Sequence, residues 1–252
     1  MDKSVLLVGV LAIAGCVEMA PEADEIGVEP RIVTNALSPS HFAASALTSS
    51  ILDSTNAAAM GQTSAQRKVL AFATTCALDA TQSIDFTISG VTYHNAGLMG
   101  VAPAWLSRAL TATEAAWVSA CIISRVNLTS ALVNISARGA NAGYDTTIGE
   151  VADYKLEEGA FWGNAFTNLG TVEGFSCNGA TQAANDTIGD LPLRECAEWD
   201  GVANSNASAC GFNYAGLCSS VCTTSTPPYS GCSFSGGSGS STVVTTFLYG
   251  TP

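Results

Sequence analysis

The sequence predicts an α+β fold, a single disulfide-stabilised domain whose C-terminal part is loop-rich and dense in cysteine. Three observations carry that expectation. Hydrophobic residues make up 47% of the 252-residue chain and charged residues only 12%, so there is enough apolar side chain for a packed core. Three- and four-residue apolar spacing in two stretches signals helices, while short alternating runs elsewhere signal strands. Nine cysteines occur, and those from Cys196 to Cys232 sit among Gly, Ser, Asn and Pro, where aliphatic residues are too sparse to order the chain without cross-links.

Taken in chain order, the first fifteen residues read as an export signal. Lys3 and the amino terminus supply positive charge, Val5 to Ile13 is apolar, and Ala14 and Gly15 are small. The apolar run is too short to span a bilayer core of roughly 30 Å, which takes about 20 residues. The residues Ile13-Ala14-Gly15-Cys16 resemble the lipobox of bacterial lipoproteins. That resemblance implies diacylglyceryl attachment at the Cys16 thiolate, cleavage before Cys16, and often a further acyl chain on the freed amino group. Two or more acyl chains hold a protein on a membrane where one is marginal. With Cys16 assigned to lipid, an even set is left: Cys76, Cys121, Cys177, Cys196, Cys210, Cys218, Cys222 and Cys232. Eight cysteines in an oxidising compartment make four disulfides, and sequence alone leaves their connectivity open.

Residues 16–38 read as a lipidated start and a flexible acidic tether, with Glu18, Glu22, Asp24, Glu25 and Glu29 interrupted by Pro21 and Pro30. Val17 after the lipid cysteine favours an outer over an inner membrane by the sorting rule of enteric bacteria. An α+β globular part is expected over 39–195 and a cysteine-rich subregion with a closing strand over 196–252. A first helix is expected from about His41 to Ala59. A second runs from Thr63 to Leu78, with Val69, Leu70, Ala73 and Cys76 on one face. Ile84–Ile88 and Val91–Tyr93 flank Ser89-Gly90 as a hairpin. A helix from Thr111 opens on a capping box with Glu114 and aligns Trp117, Ala120, Cys121 and Ser124. Since Cys76 and Cys121 both sit on apolar helical faces, a bridge between them is the first disulfide expected. Leu132–Ala137 alternates as a strand ending at Arg138-Gly139. Residues 236–241 form a glycine-serine joint, and Thr242–Tyr249 reads as the closing strand. No repeat of fixed period is present.

Net charge excludes some partners. Nine basic residues against twenty-one acidic ones give −12, which repels nucleic acid and anionic lipid headgroups. The N-x-S/T sequons at Asn127, Asn134, Asn185 and Asn206 are read as part of an Asn/Ser/Thr-rich chain and not as glycan acceptors. No cofactor or metal site is expected. Cys210, Cys218, Cys222 and Cys232 lack C-x₂-C pairs, and exported thiols oxidise.

Trp105, Glu157, Glu158 and Trp162 are the candidate binding residues. Paired carboxylates beside aromatics and glycines are the materials of a sugar cleft, in which an acid and a base or nucleophile flank one bond. Against that, adjacent glutamates rarely face each other. The plainer expectation is a helix end with solvated glutamates and Phe161 and Trp162 packed inward. Trp105 and Trp162 are stacking platforms if exposed, though tryptophan is usually buried. His94 is a candidate base for a serine nucleophile, but no G-x-S-x-G elbow accompanies it, and a loop histidine bonded to backbone is the simpler expectation. The ordering Gly100 to Trp105, Glu114 to Cys121, Ile135 to Gly139 and Glu157 to Asn164 resembles uncharacterised cysteine-rich secreted proteins of myxobacteria-like organisms. That resemblance implies a compartment and a disulfide scaffold and transfers no activity. The function expected is therefore a lipid-anchored envelope lipoprotein binding a glycan or an envelope protein. A hydrolase of polysaccharide or ester and a structural envelope component are the alternatives.

Overall fold

The computed structural model describes residues 32–35, 37–129, 132–145, 148–180, 196, 209–237 and 239–250. Cys16, the expected export signal and most of the expected acidic tether lie outside the described residues, as do Asn185 and Asn206.

Among the described residues the main sheet has six strands: β1 (Ile32–Asn35), β4 (Val133–Arg138), β5 (Leu156–Asn164), β6 (Glu173–Asn178), β7 (Phe212–Leu217) and β8 (Val244–Leu248). Their spatial order is β1-β4-β8-β5-β6-β7, antiparallel throughout except for the parallel pair β6–β7. A separate hairpin joins β2 (Ser83–Ile88) to β3 (Val91–Ala96). The fold is α+β, with four disulfides: Cys76–Cys121, Cys177–Cys218, Cys196–Cys210 and Cys222–Cys232. No helix among the described residues is long and apolar enough to cross a membrane.

Two helices follow from their caps. α3 (Ser64–Ala77) and α4 (Ala112–Ser124) both begin with reciprocal capping boxes, Thr63 with Gln66 and Thr111 with Glu114. Each box satisfies two of the amide donors that a helix start leaves open. α4 is buried at Ala115 and from Trp117 to Ser124, almost all the way round, because it lies between the sheet and α3. Its Ser119 hydroxyl donates to Ala115 O at 2.7 Å and accepts from Ala165 N at 2.9 Å, so the buried polar atom also docks the end of β5. Glycine makes the close approach possible at β6, where a Cβ on Gly174 would collide with the Phe212 ring.

Two expectations about local structure are corrected. The single helix over 41–59 is instead α1 (Pro39–Ala43) and α2 (Ser54–Met60), with non-helical chain between them. Thr48, Ser49 and Ser50 interrupt the pattern, since short hydroxyl side chains compete for backbone groups and favour helix ends over interiors. Asp53 then caps α2, accepting from Asn56 N at 2.8 Å. The tether expected to reach residue 38 is cut short by β1, which pairs Ile32–Asn35 with Val133–Ser136.

The two faces of the sheet are covered differently. Phe161 and Val244 belong to the large core shared with α3 and α4. Ala160, Trp162, Cys177 and Val243 pack instead against Cys218, Tyr229 and Cys232, from the chain between β7 and β8. The cysteine-rich C-terminal part therefore contributes both two strands and the cover of one sheet face.

Candidate functional site

Glu157 and Glu158 lie in β5, not at a helix end, and neither is solvated: Glu157 is 8% exposed and Glu158 fully buried. The reason is a β-bulge. Glu157 stands opposite Phe247 and Gly159 opposite Thr246, so Glu158 is the extra residue of the pair. Its carboxylate accepts from the Thr246 hydroxyl at 2.6 Å, and its carbonyl accepts from Gly179 N at 2.8 Å. Glu157 Oε1 accepts from the Tyr229 hydroxyl at 2.6 Å and from Ala180 N at 3.1 Å. Tyr229 in turn donates its amide to Thr245 Oγ1 at 2.8 Å.

Those partners decide the geometry. Thr245 and Thr246 are consecutive in β8 and point to opposite faces of the sheet. Glu157 therefore lies on the face covered by Tyr229 and Glu158 on the helical face, so the pair does not close on one glycosidic bond. Burial, and then the hydrogen bond and charge of Glu157, push the Tyr229 hydroxyl well above its ordinary range. The phenol stays protonated and holds the carboxylate in place.

Both tryptophans proposed as stacking platforms are interior. Trp105, in the 3₁₀ turn Pro103–Leu106, is fully buried, donates its indole N–H to Ser50 O at 2.7 Å and meets Phe166 edge-on. Trp162 is 4% exposed and stacks on Phe175 with ring centroids 5.8 Å apart. Phe234 lies against Phe175 in turn at 5.4 Å, and it is the most exposed member of this aromatic row. The structure does not bring Trp105 and the two glutamates into one cleft.

His94 is not a loop residue bonded to backbone. It sits in β3 directly opposite Asp85, with Nδ1 at 2.6 Å from Asp85 Oδ1, and both side chains are largely exposed. The turn between them takes positive φ at Ser89 and Gly90, as a two-residue hairpin turn of type I′ requires. Asp85, Phe86 and Thr87 also line a shallow open cleft with Ser54, Thr55 and Ala58 of α2. Such an exposed pair contributes at most about 1 kcal/mol to stability.

The chain matches no family model, no curated protein and no solved structure. Its function is therefore read from its own residues. Asp85 and Tyr229 were missed by sequence reasoning. For Asp85 the signal was present, since a two-residue turn at 89–90 fixes 85 opposite 94. For Tyr229 nothing local announced a partner 72 residues away.

The cysteines form the most concentrated chemistry in the molecule. Each of the eight expected scaffold cysteines bonds to another of the eight. Cys177, Cys218 and Cys222 bring their sulfurs within 4.8 Å of one another, although they belong to two different disulfides. A thiolate trio of this kind suits a soft metal ion, but only after both bonds are reduced.

Proposed function

We propose that the protein is a lipid-anchored bacterial envelope lipoprotein, held through Cys16 on a membrane, the outer one by preference. Its cross-linked domain presents a surface to a glycan or an envelope protein. The observation that carries the anchor is the closed pairing of the other eight cysteines. It leaves Cys16, in Ile13-Ala14-Gly15-Cys16, as the one cysteine of nine with no sulfur to pair with inside the chain. A scaffold of four disulfides also suits an oxidising compartment. The partner's class follows from charge. At −12 the chain as a whole avoids anionic headgroups and nucleic acid, which favours a neutral glycan or a protein surface.

The test is the intact mass of the chain purified from membranes, with and without reduction before alkylation. An N-terminal Cys16 peptide heavier by thioether-linked diacylglycerol, with the other eight cysteines alkylated only after reduction, is the expected result. A Cys16→Ser chain that kept its acyl mass and its membrane fraction would overturn the anchor. The partner is tested separately by saturable binding of the full chain to immobilised envelope glycans and to solubilised envelope proteins. Absence of saturable binding to both would refute that half of the reading alone.

A further inference from the structure

Of the eight disulfide-bonded cysteines, seven are fully buried, and Cys222 alone reaches solvent. The same Cys222 sulfur lies within 4.8 Å of both sulfurs of the neighbouring Cys177–Cys218 bridge. We infer that Cys222 is a thiol–disulfide exchange centre: a dithiol reductant opens Cys222–Cys232 from solvent, and the Cys222 thiolate then passes the opening inward to Cys177–Cys218.

The steps balance. One thiolate of the external dithiol attacks Cys222 Sγ, forming a mixed disulfide and expelling the Cys232 thiolate. The second thiol of the reagent attacks its own sulfur in that mixed disulfide. This releases the Cys222 thiolate, and the reagent leaves as a disulfide, oxidised by two electrons. Cys222 and Cys232 are now reduced, and the two protons of the dithiol end in the protein's thiol pool. The Cys222 thiolate next attacks Cys177 Sγ. A Cys177–Cys222 bond forms, Cys177–Cys218 breaks, and Cys218 departs as thiolate and takes up a proton. The count of disulfides is unchanged by this second stage, so it needs no further oxidant or reductant. Exchange of this kind depends on the thiolate and on access. The short helix Cys218–Val221 places Cys218 and Cys222 one turn apart, and the bridge to Cys177 in β6 brings the third sulfur to them.

Two single variants with one free thiol each separate this from general scrambling. In Cys232→Ser the free thiol is Cys222, inside the cluster; in Cys222→Ser it is Cys232, whose only bonded neighbour has been removed. The full chain of each is alkylated after acid quench and its disulfides mapped by mass spectrometry. In Cys232→Ser, alkylation is expected at Cys218 or Cys177 as well as Cys222, with a new bond from Cys222 to the remaining one. In Cys222→Ser, alkylation is expected at Cys232 alone. Label confined to Cys222 in the first variant, or equal scrambling in both, overturns the inference. Should either variant fail to fold, the unaltered chain treated with one equivalent of dithiothreitol gives the same decision. Thiols at Cys177 or Cys218, with Cys76–Cys121 and Cys196–Cys210 intact, support it. Thiols at Cys222 and Cys232 alone overturn it.

Discussion

Removing Cys76–Cys121 through the double change Cys76→Ala and Cys121→Ala is expected to cost more stability than the matching removal of Cys222–Cys232. The bridge ties α3 to α4, both of its cysteines are fully buried, and it closes 45 residues. The chain-entropy relation gives about 4 kcal/mol for a loop of that length. For Cys222–Cys232, which closes only 10 residues, the same relation gives about 2.7 kcal/mol. Burial widens the gap, because replacing two buried sulfurs leaves space that the packed helix pair fills only in part. For a domain of this size, about 4 kcal/mol corresponds to a fall in Tm of roughly 8–16 °C. The assay is urea unfolding of the oxidised protein, followed by circular dichroism, on both double variants. The slope of free energy against urea should also steepen, since an unlinked denatured chain exposes more surface. The reasoning fails if the Cys76/Cys121 variant loses less than the Cys222/Cys232 variant, or if its slope is unchanged while its midpoint barely moves.

Other contacts give further expected outcomes. Gly174→Ala places a methyl group against the Phe212 ring and near Ile123, and about 1–3 kcal/mol of stability should be lost in the same urea assay. Tyr229→Phe strips the hydroxyl from Glu157 Oε1. A hydrogen bond to a charged group contributes about 1.5–3 kcal/mol, and Tyr229→Phe combined with Glu157→Gln should lose less than the sum of the two singles. Thr111→Ala removes the α4 cap and should cost about 1 kcal/mol by thermal unfolding. Arg108 first, with Thr111 adding to it, holds the Glu114 carboxyl down at about 2, against 4.5 for the free group. The folded value lies below the unfolded one, so this stabilisation is present above about pH 4.5 and is lost as pH falls toward 2. Glu114→Gln should therefore flatten the stability–pH curve across that acid window, and an unchanged curve would show that the pair contributes nothing.

How legible these features are in the sequence depends on how local their causes are. α3, α4 and the 83–96 hairpin are readable because caps, apolar period and turn residues all lie within the element. Cys76–Cys121 is readable for the same reason, as both cysteines inherit a direction from their helices. β5 is hidden. It is buried from Leu156 to Trp162, so it lacks the polar alternation of a half-exposed strand, and the bulge at Glu158 shifts its phase. β6 and β7 are hidden because parallel pairing joins segments far apart in sequence, and a six-residue strand such as Glu173–Asn178, with a glycine and a serine, carries little propensity of its own. The site residues divide similarly. His94 finds Asp85 by hairpin register, whereas Glu157 finds Tyr229 only through the completed sheet; Trp105 and Trp162 are interior, as the general preference of tryptophan leads one to expect.

The position of β8 has a consequence for how the chain is made. It is the last described strand in sequence, yet it occupies an inner place in the sheet, hydrogen-bonded to β4 on one side and β5 on the other. A ribosome or export channel delivers residues in order, so β4 and β5 emerge and wait beside a gap that no earlier segment fills. The sheet closes only when residues 244–248 arrive. Until then β1 and β4 are cut off from β5, β6 and β7, and the threonine that holds the Glu158 carboxylate is still to come. A sheet built in this order stays open until its last strand is delivered and locks its halves together in one late event.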